Sequence, residues 1–265
     1  MMPAGNTVKK TAKAAMKGNY SNLAIAAFIA VYAVISGALC AGVLFGVLDI
    51  IAVFADIAFL MFVITPLIFG VFKYYRRAMW GVKESPTEVL SVFRSGKDYI
   101  RALSLGLFLF ARIFVCLIIF TIPASVASAL SESTFYSNMG IAMPTFAPAL
   151  SVVSKLFFAV GIFLTFLVNL KFYLMPFLMA SNDNIGVVEA SRLSRTISRE
   201  SAADFCWLIC SMAGWIICSL LIVPLIFTLP YMLSCYTVHC GFCVAEYNKT
   251  AVAVRDGTPS FNPKF

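Results

Sequence analysis

The chain has 265 residues, 61% of them hydrophobic and only 12% charged, with a mean hydropathy of +0.92. Soluble domains carry about 25% charged and roughly 45–50% apolar residues, so a water-soluble globular protein is excluded and a polytopic membrane protein is expected. The net charge of +8 would suggest nucleic acid in a soluble chain. Here the basic residues fall between apolar runs, where retention of Lys and Arg on the cytoplasmic side accounts for them, and no nucleic-acid partner is expected.

Residues 1–20 hold Lys9, Lys10, Lys13 and Lys17 and no acid, which places this end in the cytoplasm and excludes a secretory signal. Residues 8–17 can form a short interfacial helix, broken at Gly18-Asn19. A first span is expected over residues 23–47, where Ala33, Gly37 and Ala41 recur every four residues and would let another helix approach closely. Asp49 marks an outer turn, and a second span over residues 51–72 contains Asp56 and Pro66.

Residues 72–101 then form a basic hairpin carrying Lys73, Arg76, Arg77, Lys83, Arg94, Lys97 and Arg101. A loop this basic between two apolar runs is held in the cytoplasm and fixes the threading of the rest. Within it Ser85-Pro86-Thr87-Glu88 reads as a capping box with proline in the first helical position. An amphipathic helix over residues 85–95 would lay Val89, Leu90, Val92 and Phe93 on the bilayer, with Phe93, Arg94 and Lys97 meeting anionic headgroups.

A third span over residues 102–130 carries Arg112 and Pro123, and residues 131–148 form an outer loop without Lys or Arg. The fourth span, residues 149–179, runs past Lys155, Lys171 and Pro176, with both lysines able to snorkel to opposite interfaces. A second cytoplasmic amphipathic helix is expected over residues 187–199, with Val187, Val188, Leu193 and Ile197 on its apolar side. A fifth span over 205–227 and a shorter sixth over 231–245 return the chain to a C-terminus holding Lys249, Arg255 and Lys264. The expected architecture is therefore all-α: one transmembrane bundle over residues 1–265 with about six spans and both ends inside. Lys73-Tyr74-Tyr75 and Lys171-Phe172-Tyr173 each close a span before a cytoplasmic helix, a weak echo of two parallel units.

Three features could carry chemistry. Arg112 lies roughly 13 Å into its span at about 1.5 Å per residue, where an ionised side chain costs at least about 2.5 kcal/mol. Asp56 is its natural partner, either as a buried pair that fixes helix register, the reading we favour, or as an ion, proton or anionic-substrate site. Cys235, His239 and Cys243 share one helical face and form a weak candidate zinc or copper(I) site. Most of the eight cysteines lie in apolar runs and read as packing thiols rather than disulfides. His239 is the only histidine, the acids are scattered, and no Gly-rich phosphate loop occurs, so neither an enzyme nor a cofactor is indicated.

Four short stretches carry a family likeness: Ala15-Met16-Lys17-Gly18-Asn19-Tyr20, Pro66-Leu67-Ile68-Phe69-Gly70, Phe172-Tyr173-Leu174-Met175-Pro176-Phe177 and Pro230-Tyr231. In these the chain resembles the bacterial integral-membrane proteins grouped as domain of unknown function 975, mostly from Gram-positive bacteria. That family is similar to the membrane domain attached to some glycerophosphodiester phosphodiesterases. The resemblance implies a multi-pass protein of the bacterial cytoplasmic membrane with no assigned activity; the phosphodiesterase domain itself is absent.

Three functions follow as expectations. The first is a non-enzymatic component that organises or regulates other parts of the envelope, with a membrane-protein partner or a second copy bound at the cytoplasmic side. The second is a transporter or lipid-handling permease using Arg112, and the third a metal-binding membrane protein. The threading itself is directly testable: a cysteine introduced at Ser137 should react with an impermeant maleimide on intact cells, and one at Ser95 should not. The reverse pattern would overturn the charge-based topology.

Overall fold

The computed structural model describes residues 5–45, 55–138, 140, 146–218 and 222–256, and these are helical almost throughout. The expected outer turn at Asp49 and the C-terminal Lys264 lie outside the described residues. Four stretches are long and apolar enough to cross a membrane: Tyr20–Gly37, Ala55–Met79, Gly96–Ala129 and Ala149–Ser181. The chain divides into two compact units, Met1–Leu107 with Phe172–Phe265, and Phe108–Lys171.

In the first unit, α1 (Gly5–Met16) presents Val8, Ala12 and Met16, four residues apart, as one buried stripe. Val8 and Ala12 pack against Leu208, Met212, Cys235 and Val238, so the helix expected to lie on the bilayer leans on protein instead. It ends where Gly18 takes φ +88°, a left-handed turn that glycine adopts without strain. The next helix, α2 (Tyr20–Phe45), buries Leu23, Ala26 and Ala27, and the Leu23 carbonyl accepts a 2.7 Å hydrogen bond from the buried Tyr75 hydroxyl.

A five-residue π-helical turn, Leu60–Ile64, interrupts α3 (Ala55–Met79) just before Pro66. Proline has no N–H to give the carbonyl four residues back, that of Phe62. The Tyr99 hydroxyl fills the vacancy with a 3.0 Å hydrogen bond to the Phe62 oxygen. Both the Thr65 amide and its hydroxyl turn to the Leu60 carbonyl, the hydroxyl at 3.0 Å. Small residues admit neighbours on either side: the Phe59 ring fills the space over Gly37, as the four-residue spacing in α2 predicted, and Thr65 fills that over Gly106.

The segment after α3 departs from the expected surface helix. A 3₁₀ turn, Pro86–Leu90, leads into a single turn, α4 (Ser91–Arg94), with proline in its first positions as read. The capping box does not form: Ser85 offers no side-chain cap, and its hydroxyl pairs with that of Thr87 at 2.9 Å. The apolar side also splits. Val89 and Val92 are fully buried, because Gly70 lets the Val89 carbonyl reach the α3 backbone, while Leu90 and Phe93 stay exposed.

Two long helices follow. α5 (Gly96–Ala129) opens with the Ser95 hydroxyl accepting from the Asp98 amide at 3.4 Å. Beyond the second unit, α8 (Met175–Ser181) and α9 (Val187–Ser211) pack together. The buried side of α9 is made of Ala190, Ser191, Ser194, Ile197, Ser198 and Ser201, whereas Val188 is 66% exposed. Only Ile197 of the expected apolar set is buried; short serines allow closer helix approach than valine would. The expected boundary between spans 205–227 and 231–245 is not a helix boundary either. α9 runs on to Ser211, α10 (Ala213–Cys218) is short, and α11 (Ile222–Asp256) passes unbroken through Pro230.

The second unit comprises the rest of α5, the short α6 (Ser133–Asn138) and α7 (Ala147–Asn169). Gly161 of α7 sits against the Phe120 carbonyl of α5, and the Ser154 hydroxyl donates to the Ala124 carbonyl at 2.9 Å. Most remaining large side chains, among them Ile118, Ile119, Ile122, Leu156, Phe158 and Phe163, are exposed. A patch of that extent suits a hydrocarbon surround.

The contact at Gly70 should be measurable. Gly70→Ala would push a methyl group into the Val89 carbonyl and should destabilise by about 1–3 kcal/mol. Gly96→Ala meets open space and should leave detergent melting unchanged. Equal melting of the two variants would show that α3 and the 3₁₀ turn are not in backbone contact.

Candidate functional site

Three charged residues of the basic hairpin, Lys73, Asp98 and Arg101, meet Asp183 in one clasp inside the first unit. Lys73 lies in the last two turns of α3, Asp98 and Arg101 share a face of α5 three residues apart, and Asp183 follows α8. The Lys73 ammonium lies 2.7 Å from Asp98 and 3.6 Å from Asp183, and the Arg101 guanidinium 3.7 Å and 3.3 Å from the same two carboxylates. Arg101 also donates from one nitrogen to the carbonyls of Met179, Asn182 and Ile185 at 3.0, 2.7 and 3.2 Å. Arg76 donates to the Ala180 carbonyl at 3.0 Å. These oxygens belong to the last turn of α8 and the chain leaving it, where backbone carbonyls lack intrahelical partners and the helix dipole is negative. Two guanidinium groups meet both needs.

Burial decides which contact matters. The Lys73, Asp98 and Arg101 side chains are 11, 15 and 11% exposed, whereas Asp183 is 61% exposed. The inner pair is largely removed from solvent, while Asp183 is screened by water and contributes little. Arg77 and Glu84, at 2.9 Å, tie the end of α3 to the following loop.

A second polar cluster surrounds Tyr173. Its hydroxyl lies 2.9 Å from the Ser201 hydroxyl, 3.1 Å from His239 Nε2 and 3.7 Å from Cys243 Sγ. The Ser201 hydroxyl donates to the Ile197 carbonyl at 2.9 Å, so its lone pair accepts from Tyr173. Tyr173 has then spent its only proton, and His239 must carry hydrogen on Nε2 to complete the contact. Proton donation thus runs one way, from His239 through Tyr173 and Ser201 to a backbone carbonyl. Cys243 Sγ, 3.5 Å from Nε2, faces an N–H rather than a base. The pair is not arranged to make a thiolate nucleophile. Phe205 stacks on Tyr173 with centroids 4.0 Å apart, and the Tyr236 hydroxyl donates to the Tyr173 carbonyl.

The candidate metal set does not assemble. Cys235 packs in the apolar cluster with Val8 and Met212, while His239 and Cys243 face Tyr173. Among the described residues no three His, Cys, Asp or Glu side chains are placed to hold a metal ion. Cys116, Cys206, Cys210, Cys235, Cys240 and Cys243 are free thiols. Asp56 is half-buried early in α3, in the first unit, and Arg112 is half-buried on α5, in the second. Phe93 is 41% exposed with its ring near Tyr99, and Arg94 and Lys97 are exposed. The clasp was not foreseen from the sequence, where Asp98 stands between Lys97 and Arg101 and Asp183 in a stretch without Lys or Arg.

Removing one partner of the inner pair should be costly. Lys73→Met or Asp98→Asn alone should lower stability by about 3 kcal/mol, and Asp183→Asn by no more than about 1 kcal/mol. A double-mutant cycle read by detergent melting should show strong coupling between positions 73 and 98 and weak coupling between 73 and 183. Equal couplings would mean that burial does not rank these contacts.

No curated protein and no solved structure matches this chain. A family match covers residues 2–240, nearly the whole length, and takes in all four stretches that carried the likeness. With a match of that extent, the chain belongs to the family described as "Protein of unknown function (DUF975)".

Proposed function

We propose that this is a non-enzymatic protein of the bacterial cytoplasmic membrane that organises or regulates other envelope components. Its six crossings would leave both ends inside, with the clasp at the cytoplasmic border. One observation carries this reading: the two polar clusters are spent on architecture. Lys73, Arg101 and Asp98 satisfy one another and the end of α8, and the Tyr173 chain ends on a backbone carbonyl. Exposed basic residues outside these clusters include Arg94, Lys97, Arg192 and Arg199. They suit a surface that meets anionic headgroups or an acidic protein partner. Kinship with the membrane domain of glycerophosphodiester phosphodiesterases is part of the same proposal.

The alternative is a transporter or lipid-handling permease. It draws on Arg112, half-buried in an otherwise apolar stretch of α5, with Asp56 as its proposed partner. Crosslinking in the membrane followed by pull-down should recover a reproducible protein partner, and charge reversal at Arg94 and Lys97 should reduce its yield several-fold. Uptake or lipid flipping in proteoliposomes, abolished by Arg112→Ala, would replace the organising role with transport.

A further inference from the structure

An open groove of about 710 Å³ lies in the first unit between the end of α1, the start of α2, α10 and α11. That volume is within the range of small-molecule sites, roughly 300–1,000 Å³. Lys13 and Lys17 stand on one side, four residues apart, and Tyr20, Trp215, Phe227 and Tyr231 form the rest of the lining, beside Met16 and Gly18. The aromatic rings brace one another rather than fill the space. Tyr20 stacks on Phe227 with centroids 6.4 Å apart, and Trp215 meets Tyr231 edge-on at 6.1 Å. Trp215 and Phe227 remain 51 and 58% exposed.

The two lysines are exposed, and no acid lines the groove. Part of their placement answers the negative end of α1. That role needs no aromatic wall beside it. Exposed Trp215 and Phe227 and half-buried Tyr20 and Tyr231 beside an apolar space, with ammonium groups at its rim, match a molecule that is anionic at one end and hydrocarbon beyond. A membrane offers one abundant class of that kind.

We propose that this groove is a discrete binding site for an anionic phospholipid, the phosphate held by Lys13 and Lys17 and the upper acyl chain lying on Trp215 and Phe227. The site does not depend on the organising role, and it is separate from the exposed basic residues around Phe93. Lys17 holds its place because Gly18 ends α1 there, and Tyr20 because α2 starts two residues later. The break between the two helices therefore sets the spacing from charge to aromatic wall.

The test uses the full-length protein in neutral detergent, titrated with phosphatidylglycerol, with phosphatidylcholine of the same chains, or with inorganic phosphate, and read by native mass spectrometry and thermal shift. Phosphatidylglycerol should be retained and should raise the melting temperature; the other two should not. The double variant Lys13→Gln/Lys17→Gln should bind phosphatidylglycerol about 30-fold more weakly. Lys13→Gln alone should weaken binding about 5-fold, whereas Lys10→Gln, the same single charge change on α1 at a residue that does not line the groove, should bind as the parent does. Trp215→Ala should weaken phosphatidylglycerol several-fold. Equal effects of the two lipids on the parent protein would overturn the site. So would equal losses in the Lys10 and Lys13 single variants, which would indicate diffuse attraction, and equal stabilisation by inorganic phosphate, which would indicate an anion site without lipid. If the double variant does not melt cooperatively, the choice between the two lipids by the parent and the Trp215 variant decides the matter.

Discussion

Lys73 sits in the last two turns of α3 with 11% of its side chain exposed, and Asp98, 2.7 Å away, is what makes that position tenable. The pair is more than a local ion contact. Through Arg101 and Asp183 it reaches the far half of the sequence, and through Arg76 and Arg101 it supplies cations to the carbonyl end of α8. A buried pair of this kind is weak evidence for net stability, since apolar side chains of the same volume would often do as well. What it provides is a single arrangement: three elements distant in sequence have one way to satisfy their charges together. The burial of Tyr75 on Leu23 and the contact at Gly70 both involve the same helix, α3, that this arrangement holds in place.

Pro66 shows a different use of polar groups. Removing one amide from α3 opens a carbonyl that would be expensive to leave bare in an apolar setting. The chain answers with a π-turn and with Tyr99, a residue from the first turn of the next helix. The defect in α3 thereby becomes a specific contact that sets how α5 begins. Proline and the tyrosine that answers it are thirty-three positions apart, so no local reading could pair them.

The apolar runs and helical class were legible because periodicity and hydropathy act over twenty or more residues at once. Gly18 as a break and Pro86 as a helix start were legible from backbone chemistry alone. The helix expected over residues 187–199 was legible in place but not in face. Its serines look polar in a one-dimensional reading, yet they are short enough to be buried against another helix. From residue 205 to 245 the helix ends do not follow the expected span ends: α9 stops at Ser211, and α11 accommodates Pro230 within the helix. The clasp was the least legible part of the site, since it joins Asp98 to Asp183 through two cations and no spacing rule links them. The cysteine–histidine face was visible as a pattern, but pattern does not reveal that the Tyr173 hydroxyl meets His239 Nε2.

The hydrogen bonds from Arg101 to the end of α8 span 78 to 84 positions. A ribosome adding about 5–20 residues per second needs roughly 4–16 s to deliver the second partner after the first. During that interval the first hairpin has Lys73 and Asp98 to pair with each other, but the guanidinium of Arg101 has no carbonyl end to cap. The early helices are thus born with their inner charge pair available and their outer cation waiting. A nascent chain in this state has an unfinished polar edge, the kind of surface that an insertion factor or membrane chaperone could hold until the later helices arrive.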